Sequence, residues 1–379
     1  MNLPLPERIS QARELAGLSK TELAEQVGVS LAAVSQWEDG RKNPSIENAA
    51  AISRVLMVPF QLLTKPIPDG LARRGPITFR ALSASKTALR HRQAHRLAET
   101  VAELYNWLER WVSFPPSNLP KVSLHDPELA AMECRKAWGL EDRPIIKLGE
   151  LLESNGIRLC SAEFGDVRFD AYSCIINGKP FAFIGTEKSD RARERFSVAH
   201  ELGHLLLHQH YSDEELIEKA EETEKEAHLF AGAFLLPAAT FSKDVIDTSI
   251  DGFKRLKPKW GVSIQAMVQR AKVLELISEE TYKRHCRNIS ARGWRSARAE
   301  PLDDTVPFVN KTLGKSSLDL LKSNGVVKAW DIQSELYLPT NVLKSVFGSD
   351  FVSAPQLNIV GMRADRGLFE PPPDNSSLN

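Results

Sequence analysis

The 379-residue sequence has only four cysteines, Cys134, Cys160, Cys174 and Cys286, and none of them forms a CxxC pair. It therefore lacks the cysteine framework of a small secreted domain and the ligand pairs of a cysteine zinc ribbon. The N-terminal residues MNLPLPERIS do not combine a basic start with an apolar run, and no apolar stretch of about 18 residues occurs. We therefore expect no secretory signal and no membrane span. We expect a cytoplasmic location, which is a reducing compartment.

Net charge is also absent, because 49 Lys and Arg balance 49 Asp and Glu. No overall field directs the chain toward DNA or a membrane surface. With 42% hydrophobic and 26% charged residues, the chain has the composition of a folded protein. Proline-containing segments divide the sequence into four predicted parts. They are a helical unit at 1–65, a basic linker and long helix at 66–120, a mixed helix and strand domain at 121–290, and a helical region at 291–379 whose tail is disordered. The expected class is mainly α with a small β-sheet (α+β).

Residues 7–63 have the boundaries of five short helices. Ser19 and Glu22 stand in a capping-box relation, Gly28 permits a tight turn, and Ser30 can cap a third helix. The second and third helices are spaced as in a helix-turn-helix. The unit resembles the Cro/repressor-type (XRE) DNA-binding domain over its full length, on these residues: Leu18, Ser19, Glu22, Leu23, Ala24, Gly28, Val29, Ser30, Val34, Ser35, Trp37, Glu38, Gly40 and Pro44.

This resemblance implies a DNA-contacting surface on double-stranded operator DNA. The residues implied at the major groove are Ala32, Ala33, Ser35 and Gln36, with Gln36 the candidate for reading adenine. Those implied at phosphates are Arg41, Lys42 and Lys20, the last standing where the family usually has Gln. The unit carries seven basic and seven acidic residues between positions 1 and 65. A protein-interaction module without DNA binding therefore stays open, because phosphate neutralisation supplies most non-specific affinity.

The segment 73–96 holds seven Lys and Arg and no acidic residue. It is either a site for an anionic partner, such as DNA beside the recognition site, or a solvated linker face. The apolar residues that follow recur at helical spacing and predict packing or a homodimer contact: Leu97, Val101, Leu104, Leu108 and Trp111. Farther on, residues 331–348 predict two helices broken at Leu338 and Pro339, which without a basic face favours packing or partner binding.

The sequence RERFSVAHELGHLLLH contains the motif HExxH, with His200, Glu201 and His204 in a largely apolar helix. Histidines four apart project from one helix face and can share a zinc ion, with Glu201 beside the open coordination position. Buried histidines and a buried glutamate need partners to offset their desolvation, and a metal supplies one. The alternative is a pair of satisfied core histidines.

Such a site needs a third protein ligand. His208 is eight residues from His200, too far along a straight helix to close the same site. His210 has the spacing of a metzincin ligand, but that motif needs a glycine where Leu207 stands. Glu226 is the expected ligand, because it shares the apolar side of a second helix with Phe230 and a carboxylate facing a core is costly without a partner.

Together these helices resemble the ImmA/IrrE family of metallopeptidases over about residues 145–290. The resemblance rests on two predicted strands near 173–176 and 181–184 and on these residues: Arg193, Arg195, Phe196, Ala199 to His204, Glu226, Ala227, Phe230, Ala231, Leu235, Leu236 and Pro237. It implies a gluzincin-like zinc metalloendopeptidase with ligands His200, His204 and Glu226 and with Glu201 as general base for water attack on a peptide bond. His228 departs from the family, which usually has Asn or Asp there. Tyr172 and His228 are candidates for stabilising the oxyanion.

The expected function joins the two resemblances. It is a DNA-binding transcriptional regulator with a zinc-dependent endopeptidase that cleaves a repressor or another regulatory protein encoded nearby. Mobile-element, stress-response and toxin-antitoxin control are all compatible with it. Two alternatives stay open: a non-catalytic DNA-binding regulator or antitoxin whose zinc site is structural or senses metal, and self-cleavage within 66–76.

Overall fold

The computed structural model describes residues 3–68, 73–74, 84–163, 171–186, 190–294, 300–326 and 329–351. Within these ranges, eighteen α-helices and a single turn of 3-10 helix surround one four-stranded sheet. The predicted class, mainly α with a small β-sheet, is confirmed. Among the described residues, no helix combines the length and apolarity needed to cross a bilayer.

The N-terminal unit has the five predicted helices. They are α1 (Pro6–Leu15), α2 (Lys20–Val27), α3 (Leu31–Glu38), α4 (Ile46–Val55) and α5 (Phe60–Thr64). The capping box of Ser19 and Glu22 forms at the start of α2, and Gly28 ends α2 with φ of 80°. Ser30 caps α3 by accepting a hydrogen bond from Ala33 N. Local sequence signals therefore set the turn between α2 and α3.

A two-residue strand β1 (Arg73–Arg74) and the long helix α6 (Ala84–Leu108) follow. Val101, Leu104 and Leu108 of the predicted stripe are fully buried within the chain, whereas Trp111 lies beyond the helix end and is half-exposed. The stripe thus packs α6 against its own chain, and the homodimer stays a prediction with no support from this face.

The sheet also contains β2 (Arg158–Ala162), β3 (Ala171–Ile176) and β4 (Lys179–Gly185). The strand order is β1-β3-β4-β2, with β3 antiparallel to both of its neighbours and β2 parallel to β4. The two expected strands near 173–176 and 181–184 are confirmed as β3 and β4. Tyr172 and Ser173 are adjacent on β3, so their side chains point to opposite faces of the sheet.

A group of helices from the middle of the chain packs on one face of the sheet. Its elements are α7 (Pro127–Ala137), α8 (Leu148–Ser154), α9 (Arg191–Leu207), α10 (Asp213–Glu218), α11 (Ala220–Leu235), α12 (Ala238–Asp244), α13 (Ile250–Trp260), α14 (Ile264–Val273) and α15 (Glu279–Ala291). Leu159, Ala182 and Ile184 of the sheet join these helices in one apolar core.

The opposite sheet face belongs to a second apolar core. It contains Tyr172, Phe181 and Phe183 of the sheet, residues of α1 to α6, and residues of the C-terminal helices. Those helices are α16 (Leu313–Ser323), α17 (Ala329–Leu336) and α18 (Thr340–Phe347), which follow the 3-10 turn Asp303–Thr305. The predicted pair of helices in 331–348 is confirmed, and α18 packs on α6 and β2. The predicted disordered tail lies outside the described residues.

Candidate active site and DNA-binding face

Helix α9 carries the HExxH motif and is held at its N-terminus by acidic side chains. Asp190 accepts a hydrogen bond from Arg193 N. Asp303 accepts from Arg191 N at 2.8 Å and from Ala192 N at 3.2 Å. Carboxylates suit the first turn of a helix, whose free N–H groups carry partial positive charge. These contacts fix where α9 begins, and with it the position of the motif.

Helices α9 and α11 approach closely at Gly203. A Cβ atom there would lie 3.2 Å from the Cα of Ala227 and 3.1 Å from the ring of Phe230. The glycine and alanine therefore allow the two helix backbones to pack more closely than larger side chains would permit. As a result, the first turns of α11 lie beside the two motif histidines.

His200, His204 and Glu224 converge at this place. The Nε2 atoms of the two histidines are 3.0 Å apart. His200 Nε2 lies 3.4 Å from Glu224 Oε2, and His204 Nε2 lies 3.4 Å from Glu224 Oε1. Among the described residues, these three form the group of side chains that could hold a metal ion, with ligand atoms within 4.8 Å of one another.

The expectation that Glu226 joins the histidines is therefore corrected, because Glu224 takes that position. Residues two apart on a helix point in nearly opposite directions. Glu226 does share a side with Phe230, as expected, but α9 lies along the side of Ala227 and Glu224. Glu226 instead lies 2.9 Å from His208 Nε2. The small residue Ala227, three positions after Glu224, is the sequence signal for the correct side.

The electrostatics favour a neutral imidazole at His204 and an anionic carboxylate at Glu224. Burial lowers the pKa of His204 to about 3, so its imidazole is neutral near pH 7. Burial opposes ionisation of Glu224, but its interactions with the imidazoles of His200 and His204 at 3.4 Å outweigh it and hold the pKa of this carboxyl below its ordinary value. This combination of donors suits a divalent metal of the zinc type.

Glu201 lies beside this group and is almost fully buried. Burial raises the pKa of Glu201 to about 7, against the opposing effects of His200 and of a hydrogen bond from Ser173. Ser173 Oγ donates to Glu201 Oε2 at 2.7 Å. The sequence did not indicate this serine, and its only signal is a hydroxyl within an otherwise apolar strand.

The two oxyanion candidates have different surroundings. Tyr172 is fully buried on the opposite face of the sheet, where its hydroxyl donates to Ala94 O at 3.0 Å, so it cannot reach the site. His228 is exposed, and its ring centroid lies 6.5 Å from that of His200 and 4.8 Å from that of Phe196. The structure thus keeps one of the two candidates near the histidines.

The implied DNA-contacting residues lie on and around α3. Ala32 and Lys42 are exposed, whereas Ala33, Ser35 and Gln36 are half-buried. Trp37 and Val34 point inward, as expected. The outer side of α3 is thus uncharged, with Gln36 its longest polar side chain.

Two of the implied phosphate contacts are engaged with acidic neighbours. Arg41 lies 2.9 Å from Asp39. Lys20 lies 3.5 Å from Glu38 and 4.0 Å from Asp39. A phosphate would have to compete with these carboxylates, so Lys42 is the most available cation of the three.

Comparison with known families gives two matches. Residues 152–272 match the peptidase M78 family model, described as the IrrE N-terminal-like domain. Residues 9–63 match a model described as helix-turn-helix. Both resemblances read from the sequence are thereby confirmed, and the chain joins a helix-turn-helix to a metallopeptidase-like domain. No curated protein matches the chain.

Proposed function

We propose that the chain is a DNA-binding transcriptional regulator whose metallopeptidase-like domain is a zinc-dependent endopeptidase. The observation that carries the proposal is the convergence of His200, His204 and Glu224 beside the buried carboxyl of Glu201. The matching helix-turn-helix supports DNA binding, and the matching peptidase family supports a protein substrate.

The spacing of the three side chains fits a zinc ion. A tetrahedral site with bonds of about 2.0–2.1 Å separates its ligand atoms by about 3.3 Å. The Nε2 atoms of His200 and His204 are 3.0 Å apart, each lies 3.4 Å from a different carboxylate oxygen of Glu224, and one ligand atom from each residue lies within 4.8 Å of the other two. Three protein ligands leave one position for water or substrate, as catalytic zinc sites require.

When bound there, zinc supplies a Lewis acid that polarises a peptide carbonyl and lowers the pKa of water. Glu201 then has two proton-transfer roles: it takes a proton from the attacking water and returns it to the leaving nitrogen. A carboxyl suits both roles because it can accept a proton and then release it, and Glu201 lies beside the three residues that would hold the metal. Ser173 holds one oxygen of this carboxyl and so orients the other for the transfer.

His228 is proposed to stabilise the oxyanion of the reaction. Its exposed ring stands on α11, one turn after Glu224, and faces His200. A donor N–H on the open side of such a site can bind the charge that develops on the carbonyl oxygen. The matched peptidase family usually has Asn or Asp at this position, so the imidazole would be a feature of this chain.

The proposed substrate is a repressor or another regulatory protein. The DNA-binding unit would bring the peptidase to an operon, where such a substrate is bound. Purified protein should contain one zinc per chain by mass spectrometry of metals, and the His204→Ala variant should contain none. The zinc-loaded protein should cleave the regulator encoded beside it.

A non-catalytic regulator is the competing function. It predicts operator binding that is the same in the Glu201→Gln variant and the wild type, with no Glu201-dependent cleavage of the neighbouring gene's product. Zinc content alone does not separate the two functions, because a structural or sensing site would also hold metal. Cleavage that disappears in Glu201→Gln decides for the peptidase.

A further inference from the structure

Two side chains behind the histidine pair have no role in the proposed reaction. His208 follows the last residue of α9 and is 2% exposed, and Glu226 lies on α11. His208 Nδ1 lies 2.9 Å from His204 Nδ1, and His208 Nε2 lies 2.9 Å from Glu226 Oε2. The three side chains therefore form an unbroken hydrogen-bonded chain that ends at a carboxylate.

The carboxylate sets the direction of every hydrogen bond in this chain. The carboxylate oxygen of Glu226 accepts, so His208 donates from Nε2. A neutral His208 then has a lone pair on Nδ1, which can only accept from His204 Nδ1. His204 thereby carries its proton on Nδ1 and presents a lone pair on Nε2. That Nε2 is the atom 3.0 Å from His200 and 3.4 Å from Glu224.

We propose that His208 and Glu226 are positioning residues that hold His204 in the tautomer required of a metal ligand. This inference rests on the proposed function, because it assigns His204 Nε2 to the metal. It also gives Glu226 a role after its exclusion as a ligand. Partners of this kind fix the orientation and basicity of metal-binding histidines, and their loss typically costs 10- to 100-fold in metal affinity.

The stacking of His208 supports a fixed ring orientation. Its ring lies nearly parallel to that of Tyr211, with centroids 6.0 Å apart and an interplanar angle of 14°. The backbone N–H of His208 also donates to His204 O at 3.0 Å. The imidazole thus has three side-chain neighbours that limit its rotation, namely Tyr211, His204 and Glu226.

The first test determines the tautomers of His204 and His208 in the absence of metal. In the full-length, metal-free protein labelled with ¹⁵N-histidine, His204 should have a protonated Nδ1 and a bare Nε2, and His208 the reverse. In Glu226→Gln, the side-chain amide can donate to His208 as well as accept from it, so both histidines should become tautomer mixtures. Unchanged tautomers in this variant would overturn the proposal.

The second test measures zinc affinity by competition with a chromophoric chelator. Glu226→Gln should bind zinc 10- to 100-fold more weakly than the wild type. Glu222→Gln, an exposed change on the same helix, should bind like the wild type. His208→Gln keeps an acceptor for His204 and should retain more affinity than His208→Leu. Equal losses of zinc affinity in the two His208 variants would contradict the proposed hydrogen-bonded chain, because they would indicate that His208 contributes packing alone.

The outcomes separate this proposal from the function on which it rests. If the wild type binds zinc through His200, His204 and Glu224 but Glu226→Gln binds it equally well, the positioning role of His208 and Glu226 is overturned and the peptidase proposal stands. If the wild type binds no zinc, both are overturned.

Discussion

At the scale of single residues, Glu224 and Glu226 lie two positions apart on α11 and have different partners. Glu224 contacts the two motif histidines, whereas Glu226 contacts His208. The sequence predicted correctly that this segment supplies a carboxylate to the site. It could not choose between the two glutamates, because the choice depends on which side of α11 packs against α9.

Substitution of the two glutamates tests this assignment. Glu224→Gln removes a proposed ligand and should weaken zinc binding by more than the ~100-fold upper value for partners that act through a ligand. Glu226→Gln should weaken it less. The measurement is a chelator competition on both variants, with helix content checked by circular dichroism. A larger loss in Glu226→Gln than in Glu224→Gln would restore the original assignment.

Glu201 gives a second prediction at this scale, on metal-free protein. Its pKa is about 7 in the folded chain against an ordinary value of 4.5. Because the folded pKa is raised, the stabilisation is complete below pH 4.5 and is lost as pH rises through 7. The unfolding free energy of the wild type relative to Glu201→Gln should therefore fall by about 1.4 kcal/mol for each pH unit in this window.

The measurement is urea unfolding of both proteins in chelator at several pH values. Contributions from other titrating groups, His204 among them, are largely shared and cancel in the difference between the two proteins. A difference that stays constant from pH 5 to pH 8 would contradict the buried, proton-binding state of Glu201.

At the scale of elements, α6 joins the N-terminal unit to the sheet. Arg8 of α1 and Glu103 of α6 form a fully buried ion pair, with two N–O contacts of 3.2 Å. Arg96 lies 2.7 Å from Glu14 of α1, and Tyr172 of β3 donates to Ala94 O. The basic segment that suggested an anionic partner thus uses Arg96 to hold the DNA-binding unit. Side chains at 73–88 lie outside the described part of that segment.

Loss of the buried ion pair should loosen this attachment. Glu103→Ala leaves the Arg8 guanidinium without its carboxylate, and removing one partner of a buried pair typically costs about 3–5 kcal/mol. Backbone amides of α1 and α6 should exchange hydrogen faster in this variant. The exposed change Glu25→Ala is the control. Unchanged exchange in Glu103→Ala would mean that apolar packing alone holds the two helices together.

The recognition helix α3 gives a prediction about DNA. Gln36→Ala should reduce discrimination between selected and random DNA by about 1–3 kcal/mol, the usual value of a paired contact to one base. Lys42→Ala should weaken binding to selected and to random DNA equally. It should also lower the salt dependence of binding by the amount expected for about one phosphate contact. Binding is measured by fluorescence anisotropy at several salt concentrations, on sequences selected from a random library. Equal binding of all DNAs by the wild type would favour the protein-interaction module.

At the scale of the whole molecule, zero net charge conceals two oppositely charged regions. Residues 73–96 carry +7, and residues 213–226 carry eight acidic and two basic residues, or −6. The structure places the described part of the first region against α1 and the end of the second beside the motif histidines. Local charge therefore carries information that the total does not.

The fold was predictable where its signals are local. The five N-terminal helices, the motif helix and the helix pair near Pro339 follow from caps, periodicity and breakers. The missed features depend on contacts distant in sequence: strands β1 and β2, the hydrogen bond between Ser173 and Glu201, and the ligand side of α11. The predicted domain boundaries stay predictions, because the N-terminal unit, α6 and the C-terminal helices share one apolar core.

If the chain is a peptidase with Glu201 as its base, as proposed, it should create new protein N-termini that depend on Glu201. Zinc-loaded wild type and zinc-loaded Glu201→Gln are each incubated with a protein extract, and new N-termini are identified by mass spectrometry. We expect equal zinc content in the two proteins and a defined set of cleavages with the wild type that falls at least ~100-fold in the variant. Identical cleavages with both proteins, or none with zinc-loaded wild type, would contradict this proposal.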